Sequence, residues 1–501
     1  MRPLKRRWKP LAAAVTVILI QIWVFSWCNR ENAEHFPVTL TDAPLDNQNL
    51  KNLKPSLTVI LQDFDVFENT IYDTVAYIAR NFTDIDVLVI SETLPYPPVK
   101  VPNLQNVKLI ILKADPGTTL NATRPDLNIR SNFVLFIPDG SVLDIHFKRS
   151  FNVFTRNFEA DKQEGYATPV GNVQLSCRGI NFNLKMWTLH FGDIVKTGKC
   201  GYIIGEHGIL LETKHLYAVS QPHLPSTFIS LYAQLSLVQF KFTVTKDLHL
   251  RKLPTKPKSP QALWQLKQFK QKSVQQLYHQ LGVKKVVHEN EKVDWYGCHK
   301  ESTRCFDTVY QDMPEFLYHG RWTPPCCLNN LRETSKHVFT ILERCKVRYW
   351  LEGGSLLGAA RYRDIIPWDY DVDIGIYKDD IGKCTQLSRI ALESYVDDEG
   401  YKWEKAIEGD FYRVQYSEVN HLHVDIFPFY SKNGVMTKDT WFKTHRQDTE
   451  FPEYFLTPLS WVMFGGINAS APNHIRDFLE YKFGKGVIES PKYPNAEVVV
   501  G

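Results

Sequence analysis

Short apolar runs separated by a helical pattern define the chain between residues 56 and 137. The predicted strands are 57–61, 86–90, 107–112 and 133–137, each rich in Val, Ile, Leu or Phe. Residues 69–81 carry apolar side chains at helical spacing between the first two of these runs. Strands that alternate with a helix predict a parallel α/β layer.

A second group of patterns follows a basic, proline-rich stretch at residues 250–263. The predicted elements are helices at 261–282 and 328–345 and strands at 347–351 and 421–429. We place a domain boundary near residue 288, because the linker-like composition and the following helix separate two differently patterned halves. We therefore predict an α/β domain at 56–288 and a second domain at 289–501, so that the chain as a whole is of the α/β and α+β classes.

The N-terminus has the pattern of a membrane anchor. Basic residues dominate 1–10, and 11–28 is an apolar run close to the ~20 residues that span a bilayer. A cleaved signal peptide is the alternative, but the run ends in bulky residues between Trp23 and Trp27 rather than in small ones. We predict a cytoplasmic tail at 1–10, a type II signal-anchor at 11–28 and a polar linker at 29–55.

Composition adds limits to this picture. A length of 501 residues allows two or three domains, each with its own core. The net charge of +4 is small for this length, so we expect no nucleic-acid partner. We expect the anchor to place the rest of the chain in the secretory lumen, where disulfides form.

Luminal residues would be open to glycosylation and oxidation. Three Asn-x-Ser/Thr sequons predict glycans at Asn81, Asn121 and Asn468. Cys177 and Cys200 form a candidate disulfide, with a pair of free buried thiols as the alternative.

Three aspartates alternate with bulky residues in Pro367–Ile376. If this segment is a strand, Asp369, Asp371 and Asp373 lie on one face and repel one another unless a cation sits among them. An all-oxygen ligand set favours Mg²⁺ or Mn²⁺. The alternative is a polar loop whose acids are simply solvated.

Two further segments complete a candidate phosphoryl-transfer site. Gly353, Gly354 and Ser355 follow a predicted strand and would begin a helix whose free N–H groups suit a phosphate, with Arg361 two turns later. Asp425 lies on the predicted strand 421–429, where His421 and His423 are interpreted as packing residues. Metals held by such carboxylates stabilise the attacking and leaving oxygens at phosphorus.

Four cysteines fall within 298–327, a loop rich in Trp, Tyr, Gly and Pro. They are Cys298, Cys305, Cys326 and Cys327. Four thiolates suffice for a tetrahedral Zn²⁺ site, and two disulfides are the alternative; the spacing does not separate the two.

Three sequence segments resemble a known family. The run Arg348–Arg361, the acids up to Asp373 and the stretch Asn420–Asp425 resemble the LicD/fukutin branch of the nucleotidyltransferase superfamily. The first half resembles a GT-A-type glycosyltransferase domain, but its strand 133–137 is followed by a single acid, Asp139, instead of the metal-binding pair. We therefore expect a non-catalytic stem domain before a catalytic nucleotidyltransferase-fold domain.

The resemblance implies a Golgi enzyme, anchored as a single-pass type II protein, that acts in protein O-mannosylation. It would transfer ribitol 5-phosphate from CDP-ribitol to the O-mannosyl glycan of α-dystroglycan, which already bears ribitol phosphate, and release CMP. It also implies zinc at the four cysteines, a homo-oligomer formed through the stem domain, and a complex with fukutin and other glycan-pathway enzymes.

We predict a role for each site residue. The metal ligands are Asp371, Asp373 and Asp425, with Asp369 as an auxiliary ligand, and Asp425 accepts the proton of the attacking hydroxyl. The predicted substrate contacts are Gly353, Gly354, Ser355, Arg361, Trp368, Tyr370, Val372, Arg446 and Gln447. The alternative functions are a LicD-like phosphotransferase with another donor, such as a phosphocholine donor, and a non-catalytic luminal scaffold.

Overall fold

The structure, a computed structural model, describes most of the chain from Ser56 onward. The described residues are 56–65, 68–112, 124–156, 158, 163–254, 259–304, 306, 309–310, 313–442 and 445–493. The predicted anchor, tail and linker and Asn121 lie outside them. Within the described residues, no helix combines the length and apolar composition needed to cross a bilayer.

The first half of the chain has a mixed α/β architecture. Its strands are β1 (Leu57–Leu61), β2 (Asp86–Ser91), β3 (Val107–Ile111), β4 (Phe133–Ile137), β5 (Ser141–Leu143), β6 (Glu164–Pro169), β7 (Ser176–Asn183), β8 (Thr188–Ile194), β9 (Lys199–Cys200), β10 (Tyr202–Ile204), β11 (His207–Glu212), β12 (Lys241–Val244), β13 (Leu250–Lys252), β14 (Lys285–Val287) and β15 (Val293–Trp295). Its helices are α1 (Ile71–Asn81), α2 (Phe147–Arg156), α3 (Thr213–Tyr217), α4 (Thr227–Ser236) and α5 (Pro260–Gln280), with a 3-10 turn at Pro125–Asn128.

Two sheets organise this half. The larger has eight strands in the order β3-β2-β1-β4-β11-β6-β12-β9, with β1 to β4 parallel and β11 antiparallel to both neighbours. The smaller has the order β10-β7-β8-β14-β15. Its last hairpin, β14–β15, crosses residue 288, so the first half extends structurally to Trp295.

Asp139, the single acid after β4, caps a helix. Its carboxylate accepts hydrogen bonds from the backbone N–H and the hydroxyl of Thr70, each at 2.8 Å, at the start of α1. Both interactions satisfy polar groups at a helix N-terminus, which accounts for the acid without a ligand.

The second half carries a mixed sheet flanked by helices. Its strands are β16 (Val309–Tyr310), β17 (Met313–Pro314), β18 (Tyr349–Leu351), β19 (Val372–Tyr377), β20 (Tyr395–Val396), β21 (Lys402–Lys405), β22 (Tyr412–Gln415), β23 (His423–Lys432), β24 (Val435–Thr437), β25 (Phe451–Pro452), β26 (Ser460–Phe464) and β27 (Ile467–Ala471). Its helices are α6 (Glu315–Tyr318), α7 (Pro325–Arg344), α8 (Gly353–Tyr362), α9 (Thr385–Ile390) and α10 (Ile475–Phe483), with 3-10 turns at Lys378–Lys383 and Glu453–Leu456.

The sheet order in this half is β18-β19-β23-β22-β21-β20. Strands β19 and β23 are parallel, whereas β18 and β22 run antiparallel to them. Side chains alternate between the two faces of each strand, so Val372, Ile374 and Ile376 are buried in the core while Asp373 lies on the opposite face. The central parallel pair therefore sets the position of the acids.

Trp350 packs on the face of the sheet that also carries Asp373. It is fully buried on β18 and pairs in register with Gly375 of β19. A Cβ atom at Gly375 would overlap the indole ring. The indole N–H donates to Glu352 at 2.8 Å, so this ring is fixed by both packing and a hydrogen bond.

Most of the predicted elements are confirmed. The strands at 57–61, 86–90, 107–112 and 133–137 appear within one residue of their predicted ends, and the predicted helices appear as α1, α5 and α7. The glycine-led turn does begin a helix, α8. The sequence leaves a strand and a polar loop open for the acid segment. In the structure β19 begins only at Val372, and a turn closed from the Asp369 N–H to the Ile366 carbonyl at 2.9 Å lies before it.

We predict that Gly375→Ala destabilises the second half by about 1–3 kcal/mol or more, because the added methyl overpacks the buried Trp350 ring. Thermal unfolding followed by near-UV circular dichroism should show a lower midpoint. Gly382→Ala is the matched control, since a Cβ there meets nothing within 4 Å. Equal unfolding midpoints for the two variants would contradict the packing account.

Candidate active site

A turn carries the first two acids to the edge of the sheet. The hydroxyl of Thr323 donates to the Asp369 carbonyl at 2.6 Å, and the Tyr370 N–H donates to the Asp369 carboxylate at 3.1 Å. Asp369 and Asp371 thus precede β19, and Asp373 is the one acid of the three on the strand. The turn, rather than strand alternation, places Asp369.

Asp373 and Asp425 lie side by side. They are register partners on the parallel strands β19 and β23, so both carboxylates lie on the same face. The Arg413 guanidinium, across the antiparallel β22 pair, donates to both Asp425 oxygens at 2.7 and 2.9 Å. The imidazole Nε2 of His423 lies 3.8 Å from Asp425.

The acids perturb one another strongly. Burial and the neighbouring Asp371 raise the pKa of Asp369 well above its ordinary value. Burial, followed by the charges of Asp371 and Asp425, raises the pKa of Asp373 well above its ordinary value, and the ammonium of Lys438 opposes this. Burial also raises the pKa of Asp371. Close carboxylates in a low-dielectric site cannot all ionise without a cation.

The glycine turn covers these acids. A Cβ at Gly354 would lie 2.9 Å from an Asp369 carboxylate oxygen, and one at Gly353, where φ is +51°, would lie 3.7 Å from an Asp373 oxygen. The carboxylates therefore sit against the N-terminus of α8, whose free N–H groups carry partial positive charge. Larger side chains would block this approach.

Ser355 and Glu352 fix the turn from below. The Ser355 hydroxyl, which is 3% exposed, accepts a hydrogen bond from the Asp373 N–H at 2.9 Å. The Glu352 N–H donates to the Asp373 carbonyl at 3.0 Å, and its carboxylate pairs with buried Lys482. Ser355 thus supports the strand, and its own proton is available for another acceptor.

Other predicted substrate contacts lie in different settings. Arg361 donates to the carbonyls of Val487 and Ile488, the latter at 3.2 Å, so it holds the C-terminal segment against α8. Trp368 and Tyr370 are half-buried beside the acids, but the side chain of Val372 is buried in the core. Only the backbone of Val372 can face a substrate.

Arg446 and Gln447 lie in a loop after β24. Arg446 is exposed and Gln447 is half-buried, and no described contact joins either to the acids. The loop is held by Lys438, whose ammonium is 2.8 Å from Asp448 and 4.1 Å from the centre of the Phe427 ring. Phe427 lies on the same face of β23 as Asp425.

Sequence reasoning missed Arg413 and Lys438. Arg413 faces Asp425 because β22 pairs with β23, and its only signal in the sequence was a basic residue within a short apolar alternation. Lys438 gave no such signal. Lys438 is buried among aromatic rings because the loop after β24 packs against the sheet.

The donor set fits a hard divalent cation. Asp369, Asp371 and Asp373 offer only carboxylate oxygens, which Mg²⁺ and Mn²⁺ prefer, and burial, which raises their pKa values, disfavours three negative charges here without a cation among them. Among the described side chains, however, no three His, Cys, Asp or Glu groups already converge as a complete ligand set.

The described cysteines are joined in disulfides. Cys177 pairs with Cys200, as the sequence suggested, and Cys345 pairs with Cys384, which was not anticipated. Cys298 pairs with Cys326, which corresponds to the disulfide alternative for this cluster. Cys327 is also disulfide-bonded, and Cys305 lies outside the described residues. A sulfur in a disulfide cannot serve as a thiolate ligand, so the described pairing does not fit zinc.

Two of the predicted glycan acceptors are accessible. Asn81 is exposed at the end of α1, and Asn468 is exposed on β27.

Comparisons with known proteins place the chain. The model of the LicD/FKTN/FKRP nucleotidyltransferase domain matches residues 346–474, and that of the fukutin-related protein stem domain matches residues 45–289. Ribitol 5-phosphate transferase FKRP of Mus musculus is 41% identical over 498 residues, with 98% of each chain covered. The chain belongs to the fukutin-related protein family. The Homo sapiens protein of the same name is 41% identical over 490 residues, covering 97% of this chain and 96% of the relative.

More distant relatives match a smaller part of the chain. Ribitol-5-phosphate transferase FKTN of Homo sapiens is 28% identical over 164 residues, covering 31% of this chain and 33% of the relative. Among solved structures, the mannosyltransferase PcManGT from Pyrobaculum calidifontis, in complex with GDP-Man and Mn²⁺, matches with a TM-score of 0.27 and 11% identity, covering 54% of this chain and 74% of that one. A TM-score this low supports no argument about fold.

We predict that Asp373→Asn raises the stability of the metal-free protein at pH 8, by on the order of 1 kcal/mol. The folded pKa of Asp373 lies above its unfolded value, so its ionisation destabilises the fold progressively as pH rises from the unfolded pKa through the raised one. The measurement is the unfolding midpoint in EDTA at pH 5 and pH 8.

Asp397→Asn is the control of opposite sign. Although burial opposes it, hydrogen bonds from His337 and Trp403 lower the pKa of Asp397 to about 2. Ionised Asp397 stabilises the fold above its unfolded pKa, and this stabilisation is lost as pH falls towards 2. Asp397→Asn should therefore unfold at a lower temperature than the wild type at pH 8. A lower midpoint for Asp373→Asn as well would contradict the repulsion account.

Proposed function

We propose that this protein is a ribitol 5-phosphate transferase. It uses CDP-ribitol and adds ribitol 5-phosphate to the ribitol-phosphate-bearing O-mannosyl glycan of α-dystroglycan. The observation that carries the proposal is the pairing of Asp373 with Asp425 beneath the N-terminus of α8, in a chain similar over its full length to relatives named ribitol 5-phosphate transferase.

The reaction is an in-line displacement at the phosphorus that carries ribitol. The terminal ribitol hydroxyl of the acceptor forms the new P–O bond, and the bond from that phosphorus to the bridging oxygen of CMP breaks. Asp425 accepts the hydroxyl proton through a lone pair not used by Arg413, and CMP leaves with the bridging oxygen. Asp369, Asp371, Asp373 and Asp425 would hold Mg²⁺ or Mn²⁺, and the metal would neutralise the negative charge of the phosphates.

The N-terminus of α8 would hold the donor diphosphate. Gly353 and Gly354 leave room for phosphate oxygens to approach the backbone N–H groups, and Ser355 can donate its hydroxyl proton. Trp368 and Tyr370 border the same space with half-buried rings. Donor contacts from Arg361, Arg446 and Gln447 remain predictions, and Arg361 would have to give up its carbonyl partners.

We predict that Asp371→Asn abolishes CMP release from CDP-ribitol, by at least about 100-fold, while the protein stays folded, because one metal-binding carboxylate is lost. Release of CMP and the unfolding midpoint are measured on the same preparation. Asp379→Asn is the matched control, since this acid is exposed just after β19.

Near-normal turnover by Asp371→Asn would overturn the metal assignment. A donor panel that includes CDP-choline separates the LicD-like alternative, and a wild-type protein inactive with every donor would favour the scaffold.

Zinc at the cysteine cluster also remains a proposal. A single Cys₄ site would use Cys298, Cys305, Cys326 and Cys327, and it would require both the Cys298–Cys326 disulfide and the disulfide of Cys327 to be reduced. The buried positions of Cys298, Cys326 and Cys327, at 5%, 4% and 0% exposure, suit either a closed metal site or disulfides.

Elemental analysis of the purified protein separates these states. The zinc proposal predicts about one zinc per chain and thiols that react only after chelation. Protein with no zinc and no titratable thiols in 298–327 would establish the disulfides instead. Cys345 and Cys384 serve as the internal reference for a disulfide.

The cellular setting is proposed from the sequence. The basic tail and apolar run at 1–28 support a type II anchor, and we infer a Golgi membrane location with a luminal catalytic half. Leu263 and Trp264 on α5 are 55% and 62% exposed, which supports a homo-oligomer through the stem domain. Complexes with fukutin and other glycan-pathway enzymes belong to the same proposal.

A further inference from the structure

The turn between β7 and β8 reaches from the first half into the core of the second. Trp187 at its tip packs against the second-half core, with its ring perpendicular to that of Phe316 at 6.5 Å between centroids. The guanidinium of Arg321 lies 4.6 Å from the centre of the Trp187 ring. The described residues of both halves belong to one compact unit, so this contact is part of the fold.

Two hydrogen bonds fix the segment beside Trp187. The indole N–H of Trp187 donates to the Trp322 carbonyl at 2.8 Å, and the Trp322 N–H donates to the Lys185 carbonyl at 2.9 Å. The ammonium of Lys185 lies 4.9 Å from the centre of the Trp322 ring. Both the N–H and the carbonyl of Trp322 are therefore held by residues of the β7–β8 turn.

The next residue holds the acid turn. Thr323 is 2% exposed, and its N–H donates to the Pro367 carbonyl at 3.0 Å. Its hydroxyl donates to the Asp369 carbonyl at 2.6 Å. Both carbonyls belong to the acid turn. Trp322, which contacts the first half, and Thr323, which contacts the acid turn, are therefore neighbours joined by one peptide bond.

The backbone of Trp187 supports a specific role for its ring. Its φ of +53° lies in the left-handed region, which glycine or asparagine adopts more easily than a bulky residue. The N–H groups of Lys284 and Lys285 hold its carbonyl at 2.9 and 3.1 Å. This backbone conformation is unfavourable for a tryptophan, and the hydrogen bond from its indole to Trp322 offsets that cost.

We propose that the β7–β8 tip is a positioning element for the acid turn, acting through Trp187, Trp322 and Thr323. The turn that carries Asp369 lies before β19, and Thr323 holds it from outside the sheet. The stem half thus contributes to the catalytic centre of its own chain. The inference rests on the proposed function for its effect on turnover, but its effect on the turn is independent of the donor.

Four variants of the full-length protein test this role. Trp187→Phe keeps a ring but removes the N–H donor, and Thr323→Val removes the hydroxyl at nearly constant volume. Thr323→Ser is the conservative rescue, and Met186→Ala alters the exposed neighbour of Trp187 as the matched control. Each is assayed for deuterium uptake of a peptide covering 366–373 without donor, for kcat of CMP release and for unfolding midpoint.

We expect Trp187→Phe and Thr323→Val to raise uptake in the acid turn and to lower kcat by about 10-fold to 100-fold, since small misplacements of reacting groups cost this much. Thr323→Ser and Met186→Ala should match the wild type. Unchanged uptake, or raised uptake with unchanged kcat, in both test variants would overturn the inference. If wild-type protein releases no CMP, the proposed function fails, and the uptake alone decides whether the tip holds the turn.

Discussion

The mutual repulsion of the buried carboxylates is the constraint around which the second half is built. Asp373 sits on β19 in register with Asp425, and burial raises the pKa values of Asp369, Asp371 and Asp373, with the charges of Asp371 and Asp425 adding to the rise at Asp373. Such a cluster opposes folding unless its backbone is held from several directions. The structure supplies the N-terminus of α8, the Ser355 hydroxyl and the Thr323 hydroxyl for this purpose.

Buried charges elsewhere in this half are satisfied within the protein. Glu352 meets the ammonium of Lys482 and the indole N–H of Trp350, and Asp397 meets His337 and Trp403. Among the described residues, Arg413 pairs with Asp425, but no ion pair joins Asp369, Asp371 or Asp373 to a cation. Glu352 and Asp397 are therefore interpreted as structural charges, and the acid cluster as the group that acts in the reaction.

The first half uses its strand-end acids differently. Asp139 caps α1, and Asp63 accepts hydrogen bonds from the N–H groups of Ser226 and Thr227 at the start of α4. Burial, opposed by these bonds, raises the pKa of Asp63 to about 6. Both acids serve helix termini, so the connection of this half to catalysis runs through Trp187 at the hairpin tip.

The sequence by itself determined the local elements and the chemical types at the site. Periodicity predicted β1, β4 and α7, and glycines after a strand predicted the start of α8, because these signals depend on near neighbours in the chain. The combination of glycines and alternating acids also identified the family. Only the tertiary structure decided that Asp369 and Asp371 lie before β19 and that Arg413 pairs with Asp425. It also decided that Arg361 holds the C-terminal segment and that Trp187 binds the Trp322 carbonyl. These contacts join residues distant in the chain, and strand register and loop return, which no local pattern encodes, bring them together.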